Sequence, residues 1–396
     1  MSRKLSIFVH RASEFLTDHE AHGDGLICFS LLNGLANRGH RVFAYANHAS
    51  IQECSPNLHV ITARHRVPAN SLAPWEHGWR ADRWMADLDR THNFDLVWRM
   101  HPYHGSCPTE PKTLGKPLVI GPLFYPWPVT GCQIPKEGRP RLGIGLQGII
   151  SPIANHGWSS TVRKASLILC ATSKHADSLS REYPKINVMD LPVIVQIPED
   201  LPQPEMRPRQ GEIKLLFIAN LLSYKNPMIF CETVERLRSK GIAVSGTVLG
   251  DGPERARIEN FSKSNTLPIR FLGKVPNDEV YDHLKDADYL MSASMGEPYG
   301  RGIAEAMAVG IPCICHRSGG PADFITDCLD GLLVEYLCAD SFAARLETAI
   351  SKPDDWNILS ANARLKAEHW KSETVIDRLE AQLLTTVTNI QERVIQ

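Results

Sequence analysis

Short apolar runs alternate with longer amphipathic segments along this chain of 396 residues. In the first half, the runs at 4–10 (KLSIFVH) and 41–46 (RVFAYA) flank a helix-like stretch that ends at Gly39. Further strands are predicted at 58–63, 94–100, 117–121, 167–172 and 186–191. Strands that alternate with helices are typical of an open parallel sheet covered on both faces. The pattern therefore predicts an α/β fold with doubly wound sheets.

A polar segment interrupts the alternation near the middle of the chain. Residues 195–212 (VQIPEDLPQPEMRPRQGE) hold four prolines and many charged side chains, a composition that suits an exposed linker between domains. At about 150 residues per domain, the chain is long enough for two. We expect a first domain over 1–200 and a second over 201–373, with a helix from about 374 to 396 packing back on the first.

The alternation restarts after this segment. Strands are predicted at 213–220, 244–250, 269–273, 289–293, 311–316 and 331–335. Ligands of doubly wound sheets bind at the carboxyl ends of the strands. Two such domains joined by a linker leave a cleft between them, so we expect both domains to contribute to one site.

Three loops of the second domain place glycine or polar residues directly after predicted strands. Lys225 and Asn226 follow the first strand, Gly250 begins a GDGP turn after the second, and GEPYGRG (296–302) follows the fourth. Each has a plain alternative, because most glycine turns only connect elements and Lys225 could be an ordinary surface lysine. Their coincidence at one edge of the sheet favours a binding site.

The GEPYGRG turn leads into an alanine-rich helix that is predicted to stop at Gly310. A helix N-terminus after glycines offers free N–H groups and the positive end of the helix dipole, which bind phosphate. Arg301 adds a cation suited to phosphate, while Glu305 can accept hydrogen bonds from a diol such as ribose, unless it is only a solvated helix residue. Glu297 can reach hydroxyls beyond the phosphates. Phosphate with hydroxyls at both ends describes a nucleotide sugar.

The segment from Gly296 to Glu335 resembles the donor-binding region of retaining glycosyltransferases of family 4, which have the GT-B fold and a Glu-x7-Glu motif. The resemblance extends over roughly 213–335 and is weaker in the first half. It implies two Rossmann-like domains that face each other across a cleft. It also implies retaining, metal-independent transfer of a sugar from a nucleotide-diphosphate sugar to a hydroxyl acceptor, as in polysaccharide biosynthesis. The acceptor could be a glycan, a lipid-linked saccharide or a small molecule.

The resemblance also implies roles for individual positions. Lys225 would contact the diphosphate, Glu305 the ribose hydroxyls, and Glu297 the donor sugar near its reacting carbon. Further donor contacts would come from Asn220, Gly250, Lys274, Val275, Pro298, Tyr299, Gly300 and Arg301. From the first domain, the HGDG loop with Gly23, Asp24 and Gly25 would approach the phosphates or the acceptor.

Two positions depart from the family pattern. Asn220 stands where the family usually has an arginine, and Arg301 is the candidate that replaces the missing charge. Trp98 and Met100 stand where histidines are common, and His101 is the nearest substitute. A histidine beside a strand end can equally be a structural hydrogen-bond donor. The candidates for catalysis are Glu297, Lys225, Arg301 and His101.

Residues 136–174 suggest an acceptor surface. They hold six basic residues (Lys136, Arg139, Arg141, Arg163, Lys164 and Lys174) against the single acid Glu137, with an apolar run among them. Such a surface could dock on an anionic membrane, or it could be a loop and helix with a solvated face. No segment approaches the ~18 apolar residues of a membrane helix. We therefore expect a cytoplasmic protein, peripheral to the inner membrane face at most.

Composition excludes several other classes. A net charge of −1 gives no field for nucleic acid. The ten cysteines form no CxxC pair and are predicted to be small buried hydrophobes. The carboxylates of DAD (286–288) are predicted to be helix caps or solvated groups. We expect no cofactor and no metal. The rival functions are a silent nucleotide-sugar-binding protein, for which Asn220 is the argument, and another GT-B enzyme such as an epimerase or a phosphorylase.

Overall fold

The computed structural model describes residues 3–13, 15–20, 23–62, 73–100, 110–123, 160–195, 211–276 and 279–395. These residues form two compact units. One takes the described residues up to Ile194 together with the C-terminal helix from Ser372, and the other takes those from Val195 to Lys371. The expected boundary at 200–201 lies outside the described residues. Each unit is built on a parallel sheet flanked by helices, which confirms the predicted fold class.

The first unit carries a parallel sheet of seven strands among its described residues. The described strands of this unit, in the sheet and outside it, are β1 (Ser6–Arg11), β2 (Phe15–Thr17), β3 (Arg41–Ala46), β4 (His48–Ser50), β5 (Leu58–Thr62), β6 (Leu96–Arg99), β7 (Leu118–Leu123), β8 (Leu167–Cys170) and β9 (Asn187–Asp190). Its helices are α1 (Gly23–Asn37), α2 (Ala73–His92), α3 (Ser173–Glu182) and the C-terminal helix (Ser372–Ile395). The sheet order is β5-β3-β1-β6-β7-β8-β9, and β2 pairs separately with β4.

The C-terminal helix packs against α1 of the first unit. A side chain at Gly34 would place its Cβ 2.6 Å from the Cδ1 atom of Ile376, so the missing side chain lets the two helices approach closely. Glu380 accepts hydrogen bonds from Arg38 at 2.9 Å and from His40 at 2.8 Å. Apolar packing and these polar contacts together attach the helix to a unit that is distant in sequence.

The second unit carries a parallel sheet of six strands among its described residues. The strands are β10 (Ile213–Ile218), β11 (Val244–Leu249), β12 (Ile269–Gly273), β13 (Tyr289–Ser292), β14 (Cys313–His316) and β15 (Leu332–Val334). The helices are α4 (Pro227–Ser239), α5 (Arg255–Ser264), α6 (Val280–Asp286), α7 (Arg301–Val309), α8 (Pro321–Phe324), α9 (Ala339–Ile350) and α10 (Pro353–Ala367). The sheet order is β12-β11-β10-β13-β14-β15, so the direction of winding reverses between β10 and β13. Ligands bind outside the carboxyl ends of the strands at such a switch point.

The prediction of a loop at HGDG is wrong. Gly23, Asp24 and Gly25 form the first turn of α1, so the helix includes the residues that were predicted to form the loop. Asp24 lies in that turn, where the helix dipole favours a negative charge. The apolar residues that follow are almost all buried, and their packing carries the helix back through the two glycines.

The cysteines divide into two groups. The described thiols Cys28, Cys170, Cys231, Cys313 and Cys315 are buried, as predicted, whereas Cys54, Cys328 and Cys338 are exposed. Burial raises the pKa of the Cys170 and Cys231 thiols to about 12, so these two remain protonated. Cys107 and Cys132 lie outside the described residues. None of the helices that the structure describes is long and apolar enough to cross a membrane.

Candidate active site

Lys225 and Glu297 meet at the switch point of the second sheet. Lys225 ends a 3-10 turn (Ser223–Lys225) after β10, and Glu297 lies in the loop after β13. The Lys225 ammonium forms an ion pair with a carboxylate oxygen of Glu297. The two side chains are 13% and 16% exposed, so solvent screens the pair only in part. The structure thus joins the two residues that the sequence assigned to diphosphate and sugar.

Asn226 connects the two loops. Its backbone is left-handed, with φ of 50°, a conformation that asparagine tolerates better than most residues. Its side-chain amide donates to the carbonyl of Ala293 at 3.0 Å, and the N–H of Met295 donates to the carbonyl of Tyr224 at 2.8 Å. Pro227 then begins α4. The sequence placed Asn226 in a candidate binding loop. An asparagine before a proline at a helix start is also a signal for this bend, which was not predicted.

Gly300 begins α7 in the conformation that a glycine turn requires. Its φ is 96°, and the N–H groups of Ile303 and Ala304 both donate to its carbonyl at 3.0 Å. The helix ends at Gly310, where φ is 89°, which confirms the predicted stop. Tyr299 is buried, and Pro298 is partly buried. The glycine therefore turns the chain so that the α7 N-terminus lies at the carboxyl edge of the sheet.

Arg301 contacts Glu305 within α7. Nε of Arg301 lies 2.8 Å from Oε1 of Glu305, and the side chains are 17% and 6% exposed. Burial raises the pKa of the Glu305 carboxyl, and the Arg301 guanidinium opposes that rise. Burial also raises the pKa of the Tyr281 phenol, and the negative charge of Glu305 raises it further. Tyr281 of α6 therefore lies near the same pair. Two residues that the sequence assigned to phosphate and ribose separately are thus coupled.

Gly250 closes the edge of the sheet beside the switch point. Its φ is 128°, and a Cβ there would lie 1.8 Å from the carbonyl oxygen of Ala219. Its N–H donates to the carbonyl of Gly273 at 2.7 Å, which joins the ends of β11 and β12. Only glycine fits this close approach. The sequence predicted a ligand contact at Gly250, and the structure gives it a packing reason as well.

The remaining predicted positions are scattered around this edge or fall elsewhere. Asn220 and Lys274 are exposed and Val275 is partly buried after their strands. Arg255 was not predicted, yet its guanidinium lies over Gly273, where an added Cβ would be 2.9 Å from Nη1. Gly23, Asp24 and Gly25 belong to the other unit. His101 lies outside the described residues.

The basic surface expected at 136–174 is described only from residue 160 onward. Arg163 and Lys174 are exposed, whereas the Lys164 ammonium forms an ion pair with Glu110. Lys136, Glu137, Arg139 and Arg141 lie outside the described residues. Membrane contact through this segment stays a prediction.

Residues 202–366 match the family model described as glycosyl transferases group 1. This part of the chain is therefore similar to the glycosyl transferases of group 1. The match includes all six strands of the second sheet and the switch-point residues. The resemblance seen in the sequence is thereby confirmed at the level of the family. The roles of Glu297 and Glu305 and retention at the sugar carbon stay predictions.

Curated relatives of the chain match over less than half of their length. The putative colanic acid biosynthesis glycosyltransferase WcaL of Escherichia coli K12 is 30% identical over 182 residues, which cover 43% of this chain and 45% of the relative. The D-inositol 3-phosphate glycosyltransferase of Geodermatophilus obscurus is 27% identical over 183 residues, which cover 43% of this chain and 40% of the relative. The chain thus spans less than half of these relatives.

Solved structures resemble the chain over nearly its whole length. Sucrose-phosphate synthase from Thermosynechococcus elongatus gives a TM-score of 0.71 at 17% identity and covers 97% of this chain, with all of its own chain (100%) covered. HepE from Anabaena, solved with UDP and glucose, gives 0.62 at 14% identity over 96% of this chain and 99% of its own. At these identities the likeness establishes the fold, and it confirms the GT-B class predicted from the sequence.

Proposed function

We propose that this protein is a glycosyltransferase that moves a sugar from a nucleoside-diphosphate sugar to a hydroxyl acceptor. The observation that carries the proposal is the Lys225–Glu297 ion pair at the switch point of a domain that matches the glycosyl transferases group 1 model. The names of the relatives support sugar transfer, and the bound UDP and glucose of the Anabaena protein support a nucleotide-sugar donor.

In the proposed reaction, the donor diphosphate replaces the Glu297 carboxylate on Lys225. Lys225 and the N-terminus of α7 then face the phosphates, where they stabilise the negative charge that develops on the leaving diphosphate oxygen. Glu297, released from the lysine, accepts hydrogen bonds from the sugar hydroxyls. The charge of the leaving group is met by fixed protein groups, so we propose that the transfer requires no metal.

Glu305 is proposed to bind the ribose hydroxyls through its carboxylate. Because burial raises the pKa of this carboxyl, the group needs a partner that favours the ionised form. Arg301 is that partner, since its Nε lies 2.8 Å from Oε1 of Glu305. Arg301 is therefore proposed to support ribose binding through Glu305, in addition to facing the diphosphate from the first turn of α7.

The direct test is a panel of UDP-, GDP-, ADP- and dTDP-sugars, assayed for binding and for release of the nucleoside diphosphate with and without saccharide acceptors. Release that depends on an acceptor supports the transferase. Binding without release under every condition supports the silent binding protein instead. The configuration of the product at the sugar carbon, read by NMR, tests retention.

A further inference from the structure

The loop after β14 lies directly beside the loop that carries Glu297. Strands β13 and β14 are neighbours in the sheet, with Ser292 opposite Cys315. The chain leaves β14 at His316 and passes through Arg317 and Ser318 to Gly319 and Gly320. None of these residues received a role in the proposed reaction, although the sequence marks the glycine pair.

The hydroxyl of Ser318 makes three contacts around the Glu297 loop. It donates to the carbonyl of Ser294 at 3.3 Å and accepts from the N–H of Gly296 at 3.1 Å. Nδ1 of His316 lies 3.0 Å from the same oxygen. A hydroxyl has one proton and two acceptor lone pairs. One hydroxyl can satisfy all three contacts at once, so the Ser318 side chain joins Ser294, Gly296 and His316.

The two glycines hold the other side of Glu297. The N–H of Gly320 donates to the Glu297 carbonyl at 2.8 Å. A Cβ at Gly319, where φ is 57°, would lie 2.0 Å from that carbonyl oxygen, and one at Gly320 would lie 2.4 Å from the carbonyl oxygen of Tyr299. The backbones on either side are therefore in direct contact, with no room for a side chain between them.

We propose that Ser318 is a positioning residue that fixes the Glu297 carboxylate for the donor sugar, an inference that rests on the proposed transferase function. Its hydroxyl joins the residues immediately before Glu297, while Gly320 holds Glu297 itself. Burial lowers the pKa of His316, which favours the neutral imidazole beside Ser318. The Lys225 loop has contacts of its own with the Glu297 loop, from the Asn226 amide to Ala293 and from the Met295 N–H to Tyr224, so we expect Lys225 to stay in place when the Ser318 hydroxyl is lost.

This separation predicts which measurements change. A residue misplaced by a fraction of an ångström at the reacting carbon lowers kcat, and we expect Ser318→Ala to lower it by roughly 10-fold to 100-fold. The affinities for UDP, GDP and ADP, which lack the sugar, should stay unchanged in calorimetric titrations. Ser318→Thr, which keeps the hydroxyl, should recover most of the lost kcat.

The matched control is Ser239→Ala. The Ser239 hydroxyl donates to the carbonyl of Arg236 at 2.8 Å at the C-terminal end of α4, on the opposite edge of the sheet. It should leave kcat unchanged. If Ser318→Ala does not fold by circular dichroism, Ser318→Cys supplies a weak donor of similar size and the same comparison.

The outcomes separate the two proposals. If the wild-type protein releases nucleoside diphosphate and Ser318→Ala has the same kcat, the positioning role alone is overturned. Equal losses of kcat and nucleoside-diphosphate affinity also overturn it, because they indicate a general loosening of the domain. A wild-type protein that binds no nucleotide sugar and releases no diphosphate overturns the transferase, and the positioning role with it.

Discussion

Nε of Arg301 lies 2.8 Å from Oε1 of Glu305, one helical turn further along α7. Glu305 is 5% exposed, so its carboxylate is held in a poorly hydrated place beside the N-terminus of the helix. The arginine compensates for that burial. The Arg301 guanidinium, which the sequence assigned to phosphate, therefore also pairs with a carboxylate of the protein itself.

We expect Arg301→Ala to lower donor turnover by about 100-fold, because it removes a cation that is proposed to face the phosphates and leaves Glu305 without this partner. The pKa of Glu305, already raised by burial, should rise further. As the pH is lowered, Glu305 is then protonated at a higher pH than in the wild-type protein. The affinity for nucleoside diphosphate should therefore also begin to fall at a higher pH. Calorimetric titrations across the carboxyl and histidine range measure this.

Arg257→Ala is the control for that variant. Arg257 lies on α5, its side chain is 67% exposed, and it pairs with Glu254 at 3.1 Å. Its removal should change neither turnover nor the pH profile. An Arg301→Ala protein with near-normal turnover would exclude the proposed role.

The Lys225–Glu297 pair predicts non-additive kinetics. Lys225→Ala should lower kcat/KM by about 100-fold, since it removes a charge that faces the leaving phosphate. Glu297→Gln should lower kcat while it preserves the affinity for nucleoside diphosphate. Because the two side chains contact each other, the double variant should lose less than the product of the single effects.

Lys240→Ala provides the comparison for this series. Lys240 forms an ion pair with Glu347 at 2.5 Å in which both side chains are exposed, and it lies just past the C-terminal end of α4. Fully multiplicative losses in the double variant would show that Lys225 and Glu297 act independently.

Gly250→Ala should destabilise the second unit. Its φ is 128°, and the new Cβ would lie 1.8 Å from the Ala219 carbonyl oxygen. We expect the free energy of unfolding to fall by about 3 kcal/mol. Gly23→Ala is the matched variant, because a Cβ there meets nothing within 4 Å and its φ is not in the left-handed region. Urea denaturation of both variants tests this, and equal midpoints would contradict it.

The attachment of the C-terminal helix should depend on pH. Burial alone would raise the pKa of Glu380, but hydrogen bonds from His40 and Arg38 outweigh it, and the pKa is lowered. A lowered pKa stabilises the fold above the ordinary pKa of glutamate, and this contribution is lost as the pH falls through the lowered value. Glu380→Gln should therefore cost about 1 kcal/mol at neutral pH and progressively less in acid.

Asp377→Asn is the control, since Asp377 pairs with the same Arg38 but is 71% exposed. Such an exposed pair should contribute almost nothing. Thermal unfolding at a series of pH values compares the two variants, and a pH-independent loss in Glu380→Gln would contradict the linkage.

Removal of metal should leave the reaction unchanged. The proposed mechanism stabilises the leaving diphosphate with Lys225, Arg301 and the N-terminus of α7. We expect the same rate of diphosphate release after dialysis against EDTA as before it. A loss that added Mg²⁺ or Mn²⁺ restores would show that a cation belongs to the donor site.

Local patterns in the sequence were sufficient to predict most strands and helices of the second unit. The strand predicted at 289–293 is β13, and glycine stops α7 at 310, because both signals depend on nearby residues alone. Arg301 and Glu305 are four positions apart on a helix, a spacing that predicts an ion pair. This pair was not predicted from the sequence. The Ser318 contacts could not be predicted, since they depend on which strands are neighbours in the sheet.

The first half was harder to predict for related reasons. The short pair of β2 with β4 has too few residues to show a pattern. At Gly23, the two glycines indicated a turn, yet the packing of the apolar residues behind them extended the helix through both. Local propensity was outweighed there by burial.

The first unit is discontinuous along the chain, because its last helix follows the whole of the second unit. During synthesis, residues 195–371 are made before Ser372–Ile395, and most of them can begin to fold first. The second unit can therefore fold while α1 still lacks the helix that covers Gly34 and pairs with Arg38. Until then, the apolar surface of α1 is open to solvent, and a chaperone that binds apolar segments has its opportunity at this stage of translation.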